Sequence, residues 1–378
     1  MVVNFSSQDL DTNDVKEEQV SLMDKINDFL LALTPITLKE KLFFVQHLSL
    51  MLKSGISLAR ALKTLADQSD NKHFMQVLTD VANRVEKGSS FAEALEKYRK
   101  VFGDLFLSMI DAGEISGKLE EVLRQLYVQM KKEHQLISKV KGAMTYPAVI
   151  LFAMFGIGGF MLVVVVPKIT AMFEELNAEL PLATKILIGA SDAIRDNGIM
   201  VVIGLIVFVT AIVKTLQTYR GKYIFQTIML KAPIFGPIIK KINLARFARN
   251  ISSLLKTDIM IVKCFQITAN VLGNLHYKKA LEDMSQVIKQ GGKLNEAVKS
   301  YPHLFTPVVV QMVAIGEETG ELDNILMELA EFYEDEVDQI MENLPTIIEP
   351  LLILALGLGV GGVAIAIVMP MFSISSAI

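Results

Sequence analysis

The sequence predicts an all-α membrane protein with two repeated cytoplasmic six-helix bundles and three transmembrane helices. Three observations predict it. The first is an internal repeat: GEISGKLEEVLRQL at 113–126 returns as GEETGELDNILMEL at 316–329, and TYPAVILFAMFGIGGFMLVVVVP at 145–167 is answered by EPLLILALGLGVGGVAIAIVMP at 349–370. Pairing Gly113 with Gly316 and Pro147 with Pro350 gives one shift (316 − 113 = 350 − 147 = 203). That shift also pairs Leu52-Lys53 with Leu255-Lys256, Gly88 with Gly291, Phe102 with Phe305, Met109 with Met312 and Pro167 with Pro370. A register held so long without a gap defines a duplicated unit. The second is composition: 52% of the 378 residues are hydrophobic and the mean hydropathy is +0.42, yet 21% are charged, a combination that membrane segments joined to soluble domains satisfy. The third is that no stretch alternates apolar and polar residues as a half-buried strand would.

The opening residues, 1–36, are polar and acidic, without the basic start and apolar run of a signal peptide, and predict a disordered leader that stays in the cytoplasm. The first helical domain occupies 37–141. Thr37 and Glu40 form a capping-box pair, and Leu42, Val45, Leu48 and Leu52 follow at helical spacing until Gly55. Ser57 is placed to cap the helix 58–68; the next runs from about 72 to 87, with Gly88 just past its end. Ser90 and Glu93 make a second capping box, followed by a short helix near 104–112 and a long one over 118–141. No charged residue lies between Lys141 and Lys168, so 142–167 exceeds the roughly 20 residues that a bilayer crossing needs. After a polar extracytoplasmic loop, 168–197, comes a second span at 198–213. The second helical domain covers 214–345, the third span 346–370, and a short extracytoplasmic tail 371–378.

Orientation follows from Lys and Arg beside the spans, which are retained on the cytoplasmic side. Lys131, Lys132, Lys139 and Lys141 precede span one, and Lys214, Arg220, Lys222 and Lys231 follow span two. The loop between has Lys168, Lys185 and Arg195 against Glu174, Glu175, Glu179, Asp192 and Asp196. Both helical domains are therefore expected in the cytoplasm, with span two returning the chain between copies that enter the membrane from the same face.

The sharpest shared motif is GExxG: Gly113, Glu114 and Gly117, then Gly316, Glu317 and Gly320. The glycines suit a tight bend. The carboxylates have two readings, contact with a partner or cation, or a favourable place near a helix start. The last helix of copy two carries Glu328, Glu331, Glu334, Asp335, Glu336, Asp338 and Glu342, where copy one has Lys131, Lys132 and Lys139. Like charges so spaced repel, and they imply a basic surface in the other domain, another subunit or another protein, or else a solvated face. Pro147 and Pro350 stand where the long helices meet the bilayer and predict a change of direction, with Glu349 as an interfacial carboxylate. Gly156, Gly158 and Gly159 recur as Gly359, Gly361 and Gly362, and Gly357 with Gly361 gives a GxxxG spacing suited to close helix packing.

Several chemistries are excluded. The single Cys264 rules out an internal disulfide framework or Cys-based zinc site, and reads as a small buried hydrophobe. No phosphate-binding loop, HExxH, GxSxG or kinase signature occurs, and the five histidines do not cluster. The net charge of −4 argues against nucleic acid as a partner. The expectation is a non-enzyme without cofactor or metal.

The stretches LMLKSGISLARAL at 50–62, KGSSFAEAL at 87–95, MIDAGEISGKLEEVL at 109–123, YPAVIL at 146–151, LNAELPLATKIL at 176–187 and MVAIGEETGELDNIL at 312–326 resemble the type II secretion F family. These are polytopic platform proteins of type II secretion and type IV pilus machines. The resemblance covers nearly the whole chain from Thr37. It implies a non-enzymatic inner-membrane platform whose partners are a cytoplasmic secretion or pilus ATPase, pilin or pseudopilin subunits, other inner-membrane assembly proteins, the lipid bilayer and further copies of itself. One departure is Asp258 in the slot of Gly55, which suggests a different turn in copy two. A transporter or a membrane-tethered scaffold is the alternative. Against a transporter, each repeat supplies only one span, and the spans hold no charge besides Glu349.

Overall fold

The structure is a computed structural model that describes residues 34–168, 170 and 182–375. Most of the expected leader, residues 169 and 171–181 of the expected loop and the last three residues of the tail lie outside the described residues. Among the described residues every regular element is helical.

The helices of copy one are α1 (Leu38–Lys53), α2 (Leu58–Asp67), α3 (Lys72–Glu86), α4 (Phe91–Glu96), α5 (Arg99–Phe102), α6 (Asp104–Ile115) and α7 (Leu119–Phe160). A π-helical segment, Met161–Val165, continues α7. Between the copies lie α8 (Leu182–Asp196), α9 (Gly198–Gln217) and α10 (Tyr219–Lys231). Copy two adds α11 (Phe235–Leu255), α12 (Ile261–Val271), α13 (Leu275–Lys289), α14 (Leu294–Lys299), α15 (Pro307–Thr319) and α16 (Leu322–Ser375). Adding 203 to the bounds of α3 or α4 lands on those of α13 or α14, so the repeat is one of structure as well as sequence.

Local chemistry sets the boundaries. The Thr37 hydroxyl accepts from the Glu40 N–H while the Glu40 carboxylate accepts from the Thr37 N–H, completing the expected capping box. Ser90 accepts from the Glu93 N–H at 3.1 Å. Ser57 precedes α2 without a side-chain cap bond. Two features bear on how the chain enters and leaves the membrane. The long helix, which the sequence leads into the membrane, runs on as one helix through Pro147, and α16 likewise runs through Pro350, despite the backbone bond that each proline removes. The loop between spans one and two contains a helix, α8, whose polar residues are spaced so that an apolar face remains.

The chain packs as two compact units. The first comprises the residues up to His134 together with Asn250–Val271; the second comprises Gln135–Arg249 and the chain from Leu272 onward. In the first, Phe44 lies 5.7 Å from Phe74 and 6.0 Å from Phe102 between ring centroids. In the second, the residues 203 positions later repeat the cluster: Phe305 lies 5.2 Å from Phe247 and 5.6 Å from Tyr277. All are buried, and edge-on aromatic packing gives each core its centre. Tyr277 adds a hydroxyl, which donates to the Leu304 carbonyl at 2.9 Å.

Three helices are long and apolar enough to cross a membrane, within Leu119–Lys168, Gly198–Gln217 and Leu322–Ala366. Almost none of their apolar stretches is buried inside the protein, so their solvent must be hydrocarbon.

Candidate functional site

Each letter of the GExxG motif has its own task, and both copies perform it. In copy one, Gly113 is buried in the last turns of α6, and a Cβ there would stand 2.8 Å from the Val122 side chain. In copy two a Cβ on Gly316 would stand 3.0 Å from the Leu322 backbone. Glycine therefore lets α6 approach α7, and α15 approach α16, at backbone distance. Gly117 and Gly320 have φ of +70° and +76°, left-handed turns that reverse the chain. The Lys118 N–H closes the first turn on the Gly113 carbonyl at 2.8 Å.

The carboxylates reach back more than twenty residues. Glu114 accepts from the N–H groups of Phe91 at 2.7 Å and Ala92 at 2.9 Å, the first residues of α4. Glu317 accepts from Leu294 at 2.8 Å and Asn295 at 3.0 Å, the first residues of α14. Each takes two of the donors that a helix start leaves open and sets a negative charge at its positive end. The acidic residue does favour a helix N-terminus, but of a different helix from its neighbour in sequence. Among the described residues no group of three His, Cys, Asp or Glu is placed to hold a metal ion.

Asp258 keeps the turn of Gly55. Its φ is +61°, the one positive value outside glycine among the described residues, beside +79° at Gly55. Matching bonds close both turns, Gly55 N–H to Leu52 at 2.9 Å and Asp258 N–H to Leu255 at 3.0 Å. The expectation of a different turn is thus corrected, since the short polar side chain tolerates the left-handed region.

The acidic helix finds cations within the chain. In the second unit Glu334 pairs with Arg249, Glu336 with Lys241 and Asp338 with Lys139. The first pair is nearly buried, at 6% and 13% exposure; the other two are half-exposed. Beneath them Leu136, Ile238, Val337, Met341 and Leu344 form an apolar cluster. Here α7 of copy one, α11 and α16 of copy two are held together immediately before the first and third spans, in a neck. Glu328, Glu331, Asp335 and Glu342 remain exposed.

At the far end of the spans, the Ser191 hydroxyl of α8 donates to the Leu162 carbonyl in the π-helical segment at 2.6 Å, and Thr184 donates to the Ala366 carbonyl of α16 at 2.6 Å. A π turn frees a carbonyl from its usual partner, and a hydroxyl supplied by α8 satisfies it where water is scarce. Pro147 is buried, whereas Pro350 and Glu349 are exposed. A Cβ on Gly156, Gly158, Gly159, Gly357, Gly359, Gly361 or Gly362 would meet open space, so these glycines do not serve packing inside one chain.

Sequence reasoning missed a polar cluster in the first unit: Gln129 donates to Asn250 at 2.5 Å and accepts from Ser253 at 3.2 Å, all three buried. The positions matching Asn250 and Ser253 in copy one are His47 and Leu50, so no repeat pattern announces it. Cys264 is fully buried, and burial pushes its thiol up to about 12, which keeps it protonated and inert at neutral pH.

These features define an internally duplicated membrane protein whose described residues are helical in every regular element. The sequence profile of the family "Type II secretion system (T2SS), protein F" matches twice, over residues 44–167 and 247–370, again offset by 203 (247 − 44), and the chain belongs to that family. Similar proteins include a type IV pilus assembly protein PilC of Thermus thermophilus, 36% identical over 89% of this chain and 83% of the relative. Another PilC, from Myxococcus xanthus, is 32% identical over 100% and 90%. A type II secretion system protein F of Aeromonas hydrophila is 29% identical over 96% and 92%. Family and apolar helices together fit an inner-membrane protein of pilus or secretion systems.

Proposed function

We propose that the protein is a non-enzymatic platform that couples a cytoplasmic ATPase to the insertion or extraction of pilin or pseudopilin subunits at the inner membrane. Both helical domains face the cytoplasm in this reading, and further copies of the chain and other inner-membrane assembly proteins complete the platform. The observation that carries it is the pair of unbroken helices, α7 and α16, each running from the polar helices of its own copy through its own span. A helix without a break transmits displacement along its axis, and the neck ties the two so that they move together. The GExxG carboxylates serve the fold in this account rather than a partner, because their oxygens are occupied by backbone donors.

Inserting two glycines after Ala143 in α7 tests the coupling. The expected outcome is a protein that still inserts into the membrane but no longer supports filament assembly; undiminished assembly would remove the transmission role. Assembly that continues without any cognate ATPase would contradict the proposed partner. Reporter fusions near residues 90 and 290 are expected to be cytoplasmic at both sites.

A further inference from the structure

Helix α10 is inside out. Its polar side chains face the protein: the Gln226 amide donates to the Gly273 carbonyl at 3.1 Å and accepts from the Leu275 N–H at 2.8 Å, capping α13. The Thr227 hydroxyl meets His276 Nε2 at 2.9 Å, and the Tyr223 ring lies 4.3 Å from the His276 ring. Three of its large apolar side chains face away. Ile224 is 59% exposed, Phe225 44% and Ile228 57%. A helix at a water boundary has the opposite arrangement, so an apolar medium is required outside.

Three further observations say which medium. Helix α10 begins at Tyr219, two residues after α9 ends at Gln217, so it leaves the bilayer at the end of span two. Its path is held close to that end, since a Cβ on Gly221 would collide with the Thr215 carbonyl oxygen and Thr218 caps its first turn. Charge is one-sided. Arg220 and Lys231 flank the apolar stripe on one side and Lys222 on the other, while no acidic residue occurs anywhere from 197 to 257. The matching positions of copy one, 16–28, contain Glu17, Glu18, Asp24 and Asp28, so this basicity is not inherited from the repeat. Apolar residues edged by cations fit the boundary between acyl chains and anionic headgroups.

We propose that α10 lies in the headgroup layer of the cytoplasmic leaflet, with Ile224, Phe225 and Ile228 at the acyl boundary and Arg220, Lys222 and Lys231 on phospholipid phosphates. The proposal rests on the membrane orientation given above. It makes α10 a seat through which the second unit is braced against the bilayer, with lipid charge setting how firmly.

The chain has no tryptophan, so single reporters serve as the test. Full-length Ile228→Trp, Ile224→Trp and Leu205→Trp proteins are reconstituted in vesicles of phosphatidylglycerol and phosphatidylcholine, with bromine on shallow or deep acyl carbons. Leu205→Trp, in mid-span, is expected to be quenched by deep bromines. Ile224→Trp and Ile228→Trp are expected to be quenched mainly by shallow ones. Omitting the anionic lipid, or adding R220Q, K222Q and K231Q, is expected to lower the shallow quenching by about twofold. Quenched Leu205→Trp with unquenched residues on α10 overturns the proposal and leaves the spans standing; the face then belongs to another protein or a second copy. Shallow quenching indifferent to lipid charge overturns the headgroup contact. Unquenched Leu205→Trp removes span two and the proposal with it.

Discussion

Among the described residues, Asp258 holds a backbone conformation otherwise given to glycine. Left-handed geometry costs a residue with a Cβ about 1 kcal/mol or more, and the exposed ion pair that Asp258 makes with Lys118 at 3.6 Å is worth little. Asp258→Gly is therefore expected to stabilise the protein by about 1 kcal/mol, read as a rise in the thermal midpoint of the full-length protein in detergent. Glu317 is the opposite case. Truncation to Ala leaves the Leu294 and Asn295 N–H groups without their acceptor, and a loss of about 1–3 kcal/mol is expected in the same assay. Glu317→Gln keeps the volume and one acceptor oxygen and is expected to lose less than Ala but more than nothing; no loss in the Gln variant would mean that side-chain volume rather than hydrogen bonding matters there.

Among the elements, α8 is the one that composition disguised. Lys185, Asp192, Arg195 and Asp196 gave its segment the look of a loop, yet Ser191 and Thr184 secure it against the ends of spans one and three. Hydroxyl-to-carbonyl bonds in lipid surroundings contribute about 0.5–2 kcal/mol. Ser191→Ala is expected to cost that much in thermal unfolding in lipid nanodiscs, and Ser191→Thr to recover part of it. The long helices continue through Pro147 and Pro350, because in an apolar run the backbone has no better partner than itself.

Across the whole molecule, the neck decides how the spans are tied. Arg249 and Glu334 are both largely out of water, where a charge left without its partner is costly. Arg249→Met alone is expected to destabilise by about 3–5 kcal/mol, whereas Arg249→Met with Glu334→Leu is expected to recover most of that loss. A double variant as unstable as the single one would show that packing at that point outweighs charge. Lys139 and Asp338 are nearer the surface, and removing either is expected to cost less than about 1 kcal/mol.

What the sequence determined by itself was written mostly within one helical turn or in the repeat. The Thr37 capping box, the turns at Gly88 and Gly117, the three apolar runs and the offset of 203 between copies are of this kind, because a cap or a left-handed turn depends on neighbours three or four residues away. Only the tertiary structure decided which helix start Glu114 and Glu317 would hold, where Glu334 would find its cation, that Asn250–Val271 would pack with the first unit, and that α10 would turn its apolar side outward. Those outcomes depend on which surfaces meet across tens or hundreds of residues, and hydrophobic packing, being non-directional, leaves no local mark of its partner in the chain.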